Sequence, residues 1–147
     1  MLGKLTNELS FIGNYSHIDA RIIGDTGSPA LVGNSLHVYA PDSGSAYLTY
    51  DFAPGSELRG WRVGGGVFAA SDRWGDDQNT FILPAYARVD LFTRYQTVIG
   101  PTRVSAQINV YNIANTTYYQ GVSFFGARTG IIAGAPRSVI GSLRVEF

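Results

Sequence analysis

The last eleven residues of the chain, 137–147, alternate between two kinds of side chain with a period of two. One set is apolar and consists of Val139, Gly141, Leu143, Val145 and Phe147. The other set is mostly polar and consists of Ser138, Ile140, Ser142, Arg144 and Glu146. Because successive side chains of a β-strand point to opposite faces, this segment predicts a strand with one apolar face and one wetted face.

The aromatic residue at the end of this segment indicates what the apolar face lies against. Terminal residues of a soluble domain are usually poorly ordered unless they are tied down, so Phe147 would be an unusual end for such a domain. The last strand of an outer-membrane β-barrel, by contrast, lies against lipid with an aromatic residue at the membrane interface. The pattern therefore favours a transmembrane strand.

Composition excludes several other classes of protein. The 147 residues are enough for one ordinary domain, and the 11 basic residues balance the 11 acidic residues. This balance argues against a nucleic-acid binder, which would carry a basic excess. Only 15% of the residues are charged, against about 25% in typical soluble domains. Cysteine is absent, which excludes disulfides, thiolate chemistry and cysteine-based zinc sites.

The start of the chain lacks the features of an export signal. Residues 1–8 contain one lysine but no apolar core and no cleavage site. No apolar run reaches the roughly 18 residues of a membrane helix. Since an exported barrel needs a signal, we expect either that a signal was removed or that this chain is the tail of a longer protein.

Alternation recurs along the chain and predicts an all-β fold of about six antiparallel strands connected up and down. The predicted strands lie at roughly 8–20, 44–52, 58–71, 85–98, 102–113 and 137–147. Their apolar faces run about nine to eleven residues, which is the length of a tilted transmembrane strand. The charges within each strand keep mainly to the opposite face, which is too polar for a dry core.

The connections between these strands alternate in length. Long or medium segments at 22–43, 72–84 and 114–136 alternate with short turns at 53–56 and 99–101. Outer-membrane barrels have short periplasmic turns and long outer loops. We therefore expect an even number of strands, with Phe147 at the periplasmic interface.

No motif predicts catalysis or a metal site. We expect His17 and His37 to be structural or surface residues, and no Gly-x-Ser-x-Gly nucleophile motif is present. The acidic residues at 72, 76 and 77 lack the ligand spacing of a calcium loop, so a solvated outer loop is favoured. The glycines at 64–66 are not followed by a helix start, as a phosphate loop would be.

Several sequence blocks together resemble TonB-dependent siderophore receptors. The blocks are 33–36 with Pro41, 61–67, 72–76, 79–90, 109–113 with 118–119, and 134–137 leading to Phe147. The resemblance implies a transmembrane barrel of about 22 strands with a plugged lumen. Residues 1–147 would form its C-terminal portion. The plug, the TonB-contacting segment and the N-terminal barrel strands would then be absent from this chain.

The same resemblance implies a function. The parent protein would be a receptor in the outer membrane of a Gram-negative bacterium for TonB-dependent uptake of ferric siderophores. It would not be an enzyme, and it would hold no cofactor, because iron enters only within the siderophore. The implied partners are outer-membrane lipid, the siderophore, the TonB complex through the missing plug, and the barrel-assembly machinery, with no nucleic acid. Self-association of the chain stays open.

Two sets of residues are candidates for this function. Aromatic and arginine side chains in the outer loops suit a bulky, anionic, partly aromatic ligand, although they also suit an interface girdle or loop packing. These are Trp74, Phe81, Tyr118, Tyr119, Phe124, Phe125 and Arg128. For recognition by the assembly machinery, the resemblance implies Val139, Leu143, Val145 and Phe147.

Two alternatives remain on the sequence alone. A small independent outer-membrane barrel would need about eight strands, so further copies or another fragment would have to close its edges. A soluble ligand-binding β-barrel would need an apolar interior and a polar exterior. Dependence of solubility on detergent separates the membrane proteins from the soluble one.

Overall fold

The computed structural model describes residues 2–37, 39–123 and 128–147. Within these ranges the chain is built from β-strands with two short 3-10 turns, Pro29–Leu31 and Arg128–Gly130. The strands are β1 (Leu2–Lys4), β2 (Leu9–His17), β3 (Asp42–Asp51), β4 (Trp61–Ala70), β5 (Arg73–Trp74), β6 (Ile82–Leu83), β7 (Tyr86–Ile99), β8 (Thr102–Tyr111), β9 (Tyr119–Val122), β10 (Ile131–Ala133) and β11 (Ser138–Glu146). None of the described residues belongs to a helix with the length and hydropathy of a membrane span.

Seven of these strands form one antiparallel sheet in the order β1-β2-β3-β4-β7-β8-β11. The six predicted strands are all present, within about three residues at most ends. The sheet is open, because β1 and β11 lie at opposite edges and do not pair with each other among the described residues. The prediction of an up-and-down antiparallel barrel segment is therefore confirmed.

The structure differs from the predicted strand count at the start of the chain. The short strand β1 pairs with β2, with Leu2 opposite Ile12 and Lys4 opposite Ser10. The prediction of an even number of strands is therefore wrong for the described residues, which place seven in the main sheet. Three residues around one glycine give no alternation to detect, and β1 depends on its pairing with β2.

The register sorts the side chains of the main sheet onto two faces. One continuous row across the sheet contains Leu9, Tyr50, Val63, Thr93 and Ile108. We call the face that carries this row the apolar face. Along β8 it presents Val104, Ala106, Ile108 and Val110, and it includes the apolar set of β11. Large side chains on this face are exposed, such as Leu143 at 70%.

The opposite face, called the polar face, carries most charges of the strands; Asp42, at the end of β3, lies instead on the side of the apolar face. The charged residues of the polar face are Lys4, Asp51, Arg62, Arg88, Asp90, Arg94, Arg103, Arg144 and Glu146. Along each strand these alternate with the apolar residues, as the sequence pattern predicted. A soluble barrel would reverse this arrangement, since its exposed face would be polar.

The sheet has two further edges besides the edge strands β1 and β11, formed by the ends of its strands, and these two also differ. The long connections, 18–41, 71–85 and 112–137, all leave the same edge, called the loop edge. The short connections, 5–8, 52–60 and 100–101, all lie at the other edge, called the turn edge. Aromatic pairs mark the turn edge of the apolar face: Tyr50 with Phe52, and Trp61 with Tyr95, each 5.1 Å apart between ring centroids. Such rings are typical of a membrane interface.

Candidate functional site

The long connections at the loop edge contain two hairpins, β5–β6 and β9–β10. Both contact the polar face at Tyr86, through Arg73 of β5 and through Tyr118, which directly precedes β9. We call these hairpins together the loop layer. Periodicity could not predict them, because each strand has only two to four residues. The buried side chains lie at this edge: Ala70, Leu83, Tyr118, Val122, Arg73, Asp76, Asp90 and Asn112. The packed core of the described residues therefore lies where the loop layer meets the polar face of the sheet.

Tyr118 anchors the second hairpin to the sheet. Its side chain is 2% exposed, and its ring stacks on Tyr86 of β7 at 4.5 Å between centroids. Arg88 donates a hydrogen bond to the Tyr118 hydroxyl at 3.1 Å. A Cβ at Gly134 would overlap the Tyr118 ring, so glycine leaves the space that the ring occupies. Tyr118 therefore contributes packing energy to the loop layer.

A second anchor is the carboxylate of Asp90, which is 4% exposed. It accepts hydrogen bonds from the Tyr47 hydroxyl at 3.1 Å, from Arg88 at 3.0 Å and from the backbone N–H of Asn112 at 2.8 Å. Asn112 has a φ of 50° and donates from its amide to the carbonyls of Thr116 and Ala135. Since every buried oxygen of Asp90 has a partner, burial of this charge is compensated.

The two hairpins also contact each other. Arg73, which is 5% exposed, donates to the backbone carbonyl of Tyr119. The guanidinium of Arg128 lies 5.1 Å from the centroid of the Phe81 ring. The ring of Phe81 occupies the space above Gly75, on the same side of the β5–β6 hairpin as Arg73. Phe81 and Arg128 thus form a cation–π pair on the polar-face side of the loop layer, with Arg128 exposed.

A set of hydrogen bonds ties the 18–41 loop to the β5–β6 hairpin. Asn79, at a φ of 56°, accepts from the backbone N–H of Ser35 at 2.9 Å and donates to the Ser35 carbonyl at 2.8 Å. Asn34 donates to the carbonyl of Asp77, whose carboxylate lies 2.5 Å from Nδ1 of His37. We call these five residues the loop latch.

The loop latch corrects one expectation and confirms another. The acidic group at 72, 76 and 77 is only in part a solvated loop, because Asp72 is exposed whereas the carboxylates of Asp76 and Asp77 have protein partners. Asp76 accepts from the backbone N–H of Thr80 at 2.7 Å, and Asp77 contacts His37. The structural role expected of His37 is confirmed. Among the described residues, no group of three or more His, Cys, Asp or Glu is placed to hold a metal ion.

A cleft of about 350 Å³ separates the 18–41 loop from the β5–β6 hairpin. Trp74 and Ile82 of this hairpin line it, and so does the buried Arg73. His17, which lies on the apolar-face side of β2, lines the same cleft. The cleft therefore lies at the loop edge, between the end of β2 with the loop that follows it and the β5–β6 hairpin.

The candidate ligand-binding residues are consequently divided between different environments. Phe81 and Arg128 lie together, whereas Trp74 is half-buried in the cleft on the other side. Tyr118 is buried, and Tyr119 is half-buried with its carbonyl used by Arg73. Phe124 and Phe125 lie outside the described residues.

Sequence reasoning missed the residues that build this site. The sequence pattern marks Asp90 and Arg88 only as charges on a polar strand face, although they form an ion pair. It marks Tyr86 and Asn112 only as parts of longer blocks, although they contact Tyr118 and Asp90. The available signal was an acidic and a basic residue two positions apart within a strand, which places them on one face and within reach of each other.

The open sheet with one apolar face, one charged face and long loops at one edge defines a segment of a transmembrane β-barrel. Comparison with known proteins identifies the family. Residues 3–113 match the family model described as TonB dependent receptor-like, beta-barrel. The chain belongs to this family, and it is part of a Gram-negative outer-membrane β-barrel. In such a barrel the apolar face meets lipid and the polar face lines the lumen.

Individual relatives agree with this assignment. The metal-pseudopaline receptor CntO of Pseudomonas aeruginosa PAO1 is 33% identical over 146 residues, which cover 99% of this chain and 19% of that receptor. An uncharacterized TonB-dependent receptor of Haemophilus influenzae is 29% identical over 151 residues, covering 99% of this chain and 43% of that protein. The chain therefore spans about a fifth of the length of the first relative and under half of the second.

Solved structures show the same fold. The ferric preacinetobactin receptor BauA of Acinetobacter baumannii superimposes with a TM-score of 0.83 at 19% identity, over 98% of this chain and 20% of that one. The pyoverdine receptor FpvA of Pseudomonas aeruginosa PAO1, solved with pyoverdine bound, gives 0.73 at 27% identity, over 99% of this chain and 20% of that one.

Proposed function

We propose that residues 1–147 form the C-terminal part of the barrel wall of an outer-membrane receptor that takes up ferric siderophores. The plug and the preceding strands would be supplied outside this chain. The observation that carries the proposal is the loop layer, held over the polar face by Tyr118 and Asp90 at the edge that would face the cell exterior. The names of relatives support the ligand class, since they include a metal-pseudopaline receptor and a ferripyoverdine receptor.

The partners follow from this role. Iron is cargo within the siderophore, and the chain holds no cofactor and catalyses no reaction. The TonB complex would act through the plug, and the lipid of the outer membrane would contact the apolar face. The barrel-assembly machinery would recognise β11 through Val139, Leu143, Val145 and Phe147, which lie on the apolar face or at its end.

Among the candidate ligand-binding residues, Phe81 and Arg128 have the strongest support. Arg128 presents an exposed cation beside an aromatic ring on the lumen side of the loop layer. A ferric siderophore that is anionic and partly aromatic would contact both groups. Tyr119 lies in the same hairpin, half-buried, at the margin of this surface. Trp74 faces away from it, and the burial of Tyr118 supports an anchoring role.

A binding assay on whole cells tests the ligand contact. In receptor-null cells that express the full-length receptor containing this segment, Arg128→Gln is expected to weaken ferric-siderophore binding about tenfold, the value of one charge-assisted hydrogen bond. Arg128→Lys keeps the charge and should retain part of the affinity. Arg144→Gln, at the turn edge of the polar face, is the matched control and should bind normally. Equal affinity of Arg128→Gln and the control would contradict the proposed contact.

A second assay tests whether this segment acts alone. Receptor-null cells that express only residues 1–147 are expected to show no siderophore-dependent growth on limiting iron, because the open sheet encloses no lumen. Restored growth in these cells would overturn this part of the proposal.

A further inference from the structure

Arg73 is a buried cation without a counterion. It is 5% exposed, and it is the one arginine that is buried among the described residues. Its guanidinium donates to the backbone carbonyl of Tyr119, whereas its buried Nε has no hydrogen-bond partner among them. Within the described ranges, no ion pair joins Arg73 to a carboxylate. Because buried charges in proteins are normally paired, this position lacks one negative charge.

The contacts that Arg73 does make compensate its charge only in part. Its guanidinium carbon Cζ lies 5.9 Å from the centroid of the Tyr86 ring, which is a cation–π distance. The Tyr119 carbonyl accepts one hydrogen bond but carries no net charge. Arginine stays protonated in proteins, so Arg73 cannot lose its charge as a buried lysine or histidine can. A negatively charged group beside it would therefore be stabilised.

The cleft between the 18–41 loop and the β5–β6 hairpin reaches Arg73. Its charged and titratable lining residues are His17, Asp19, Arg21, Asp72 and Arg73. Nδ1 of His17 lies 2.8 Å from the carboxylate of Asp42, so this side chain has a partner outside the lining. Arg21 donates to Asp19 at 2.9 Å, and these two charges balance each other. Two charges of the lining are left, and they differ in their access to water.

These two charges favour an anion with a single negative charge. Asp72 is exposed, so water compensates it, whereas Arg73 is buried. An anion in the cleft is attracted to Arg73 in a medium of lower effective dielectric constant than bulk water. One negative charge balances that cation. A doubly charged phosphate monoester would bring a second negative charge close to Asp72, so the lining selects a monoanion.

The remaining lining suits the carbon skeleton of an organic anion. Trp74 is half-buried in the cleft, and Tyr39 and Ile82 are half exposed there. The volume of about 350 Å³ lies at the small end of the roughly 300–1,000 Å³ typical of ligand sites. Hydrogen bonds between Asn79 and Ser35 join the two walls of the cleft. A small carboxylate with an aromatic or apolar body uses this surface, whereas an inorganic anion leaves it unused.

We propose that this cleft binds a small organic monocarboxylate, with Arg73 as its counterion. The carboxylate lies against Arg73, and the apolar body lies against Trp74. Because Arg73 also bonds to Tyr119 of β9, the ligand connects the 18–41 loop with both hairpins of the loop layer. Phe81 and Arg128 do not belong to the described lining of the cleft. The site is therefore separate from the proposed siderophore contact, and its test does not involve siderophore binding.

Fluorine NMR with 4-fluorobenzoate tests the proposal on the full-length receptor that contains this segment, in detergent micelles at constant ionic strength. Saturable broadening of the ligand signal is expected. The neutral analogue 4-fluorobenzamide should bind at least about tenfold more weakly, since it lacks the charge that Arg73 balances. Arg73→Gln should weaken 4-fluorobenzoate binding by a similar factor, and Arg73→Lys should retain part of the affinity. Arg144→Gln, on the polar face of β11, is the control and should bind normally.

A second pair of variants leaves the buried arginine in place. Ile82 is half exposed in the cleft, so its replacement does not open the core. Ile82→Glu supplies a tethered carboxylate that should take the place of 4-fluorobenzoate beside Arg73 and weaken its binding at least about tenfold. Ile82→Gln has a similar size without the charge and should bind 4-fluorobenzoate with nearly the wild-type affinity.

Every result of these titrations decides the proposal. Saturable binding of 4-fluorobenzoate that is weakened in Arg73→Gln and Ile82→Glu, but not in Ile82→Gln or Arg144→Gln, supports it. Absence of saturable binding to the wild type, equal binding of the carboxylate and the amide, or equal affinities of Ile82→Glu and Ile82→Gln overturns it. Wild-type affinity in a folded Arg73→Gln variant also overturns it. If Arg73→Gln does not fold, as read from heat-dependent electrophoretic mobility, the Ile82 pair decides.

Discussion

The carboxylate of Asp90 accepts a hydrogen bond from the backbone N–H of Asn112 at 2.8 Å, and the two residues are 4% and 1% exposed. Asp90 is the fifth of the 14 residues of β7, near the loop edge, and Asn112 directly follows the end of β8. The bond therefore fixes where the last long loop leaves the sheet. Arg88 binds both the Asp90 carboxylate and the Tyr118 hydroxyl, so this one carboxylate connects the sheet with the loop layer.

Replacement of Asp90 should therefore destabilise the chain. Asp90→Ala leaves Arg88 without its carboxylate and the buried N–H of Asn112 without an acceptor, and it should lower the free energy of unfolding by about 3 kcal/mol. Urea titration in detergent micelles, followed by circular dichroism, measures the change. Asp51→Ala is the control, because Asp51 pairs with Arg62 on the exposed part of the polar face and its loss should cost below about 1 kcal/mol. Equal losses of unfolding free energy in the two variants would show that Asp90 stabilises the chain no more than an exposed ion pair does.

Gly134 leaves space for the ring of Tyr118. A methyl group added at position 134 should therefore collide with that ring. Gly134→Ala should displace the ring and loosen the second hairpin, at a cost of about 1–3 kcal/mol typical of overpacking. Trypsin cleavage after Arg128 reports the loosening, since that bond lies in the same loop. Gly121→Ala is the control, because no atom lies within 4 Å of the added Cβ. Faster cleavage in the Gly121 variant than in the Gly134 variant would contradict the packing described.

Neighbouring residues on β8 test the assignment of the two faces. Ile108 lies on the apolar face and Gln107 on the polar face, where its amide donates to Asn109 at 2.8 Å. Ile108→Arg places a charge in lipid and should destabilise the folded chain by about 2–4 kcal/mol, whereas the same change in the lumen should have little effect. The folded fraction in outer-membrane preparations, read from heat-dependent electrophoretic mobility, measures the difference. A larger loss for Gln107→Arg would reverse the assignment of the faces.

The sequence predicted the main sheet well because its faces are set by local alternation. The run Val104, Ala106, Ile108 and Val110 can be read without knowledge of any other strand, and the register preserves it. The loop layer depends instead on residues far apart in the chain. Tyr118 is buried because it stacks on Tyr86 and fills the space left by Gly134, and neither contact has a periodic signal. For the same reason, Trp74 and Phe81 looked alike in the sequence although they lie on opposite sides of one hairpin.

The side-chain amide of Asn79 connects the β5–β6 hairpin to the 18–41 loop through two hydrogen bonds to Ser35. Asn79→Gly keeps the positive φ accessible but removes both hydrogen bonds to Ser35. The backbone amide of Ser35 should then exchange with deuterium faster, by about tenfold for a loss of about 1.4 kcal/mol. Asn79→Asp separates the two bonds, since a carboxylate still accepts from the Ser35 N–H but no longer donates. Exchange in that variant should lie between the wild type and Asn79→Gly. Unchanged exchange in Asn79→Gly would show that the 18–41 loop is held by other contacts.

The final prediction concerns Phe147, which follows β11 at the turn edge on the side of the apolar face and is fully exposed, at 102%. Its ring is not buried against other described residues, and exposure of such a ring to water is unfavourable. At a lipid interface the ring is stabilised. Phe147→Ala should therefore leave the sheet intact and slow insertion into the outer membrane. Pulse-chase labelling that follows the shift from periplasmic to membrane-embedded chain measures this rate. Ser142→Ala, on the polar face of the same strand, should insert at the wild-type rate. Equal insertion rates of the two variants would show that Phe147 has no role in assembly into the outer membrane.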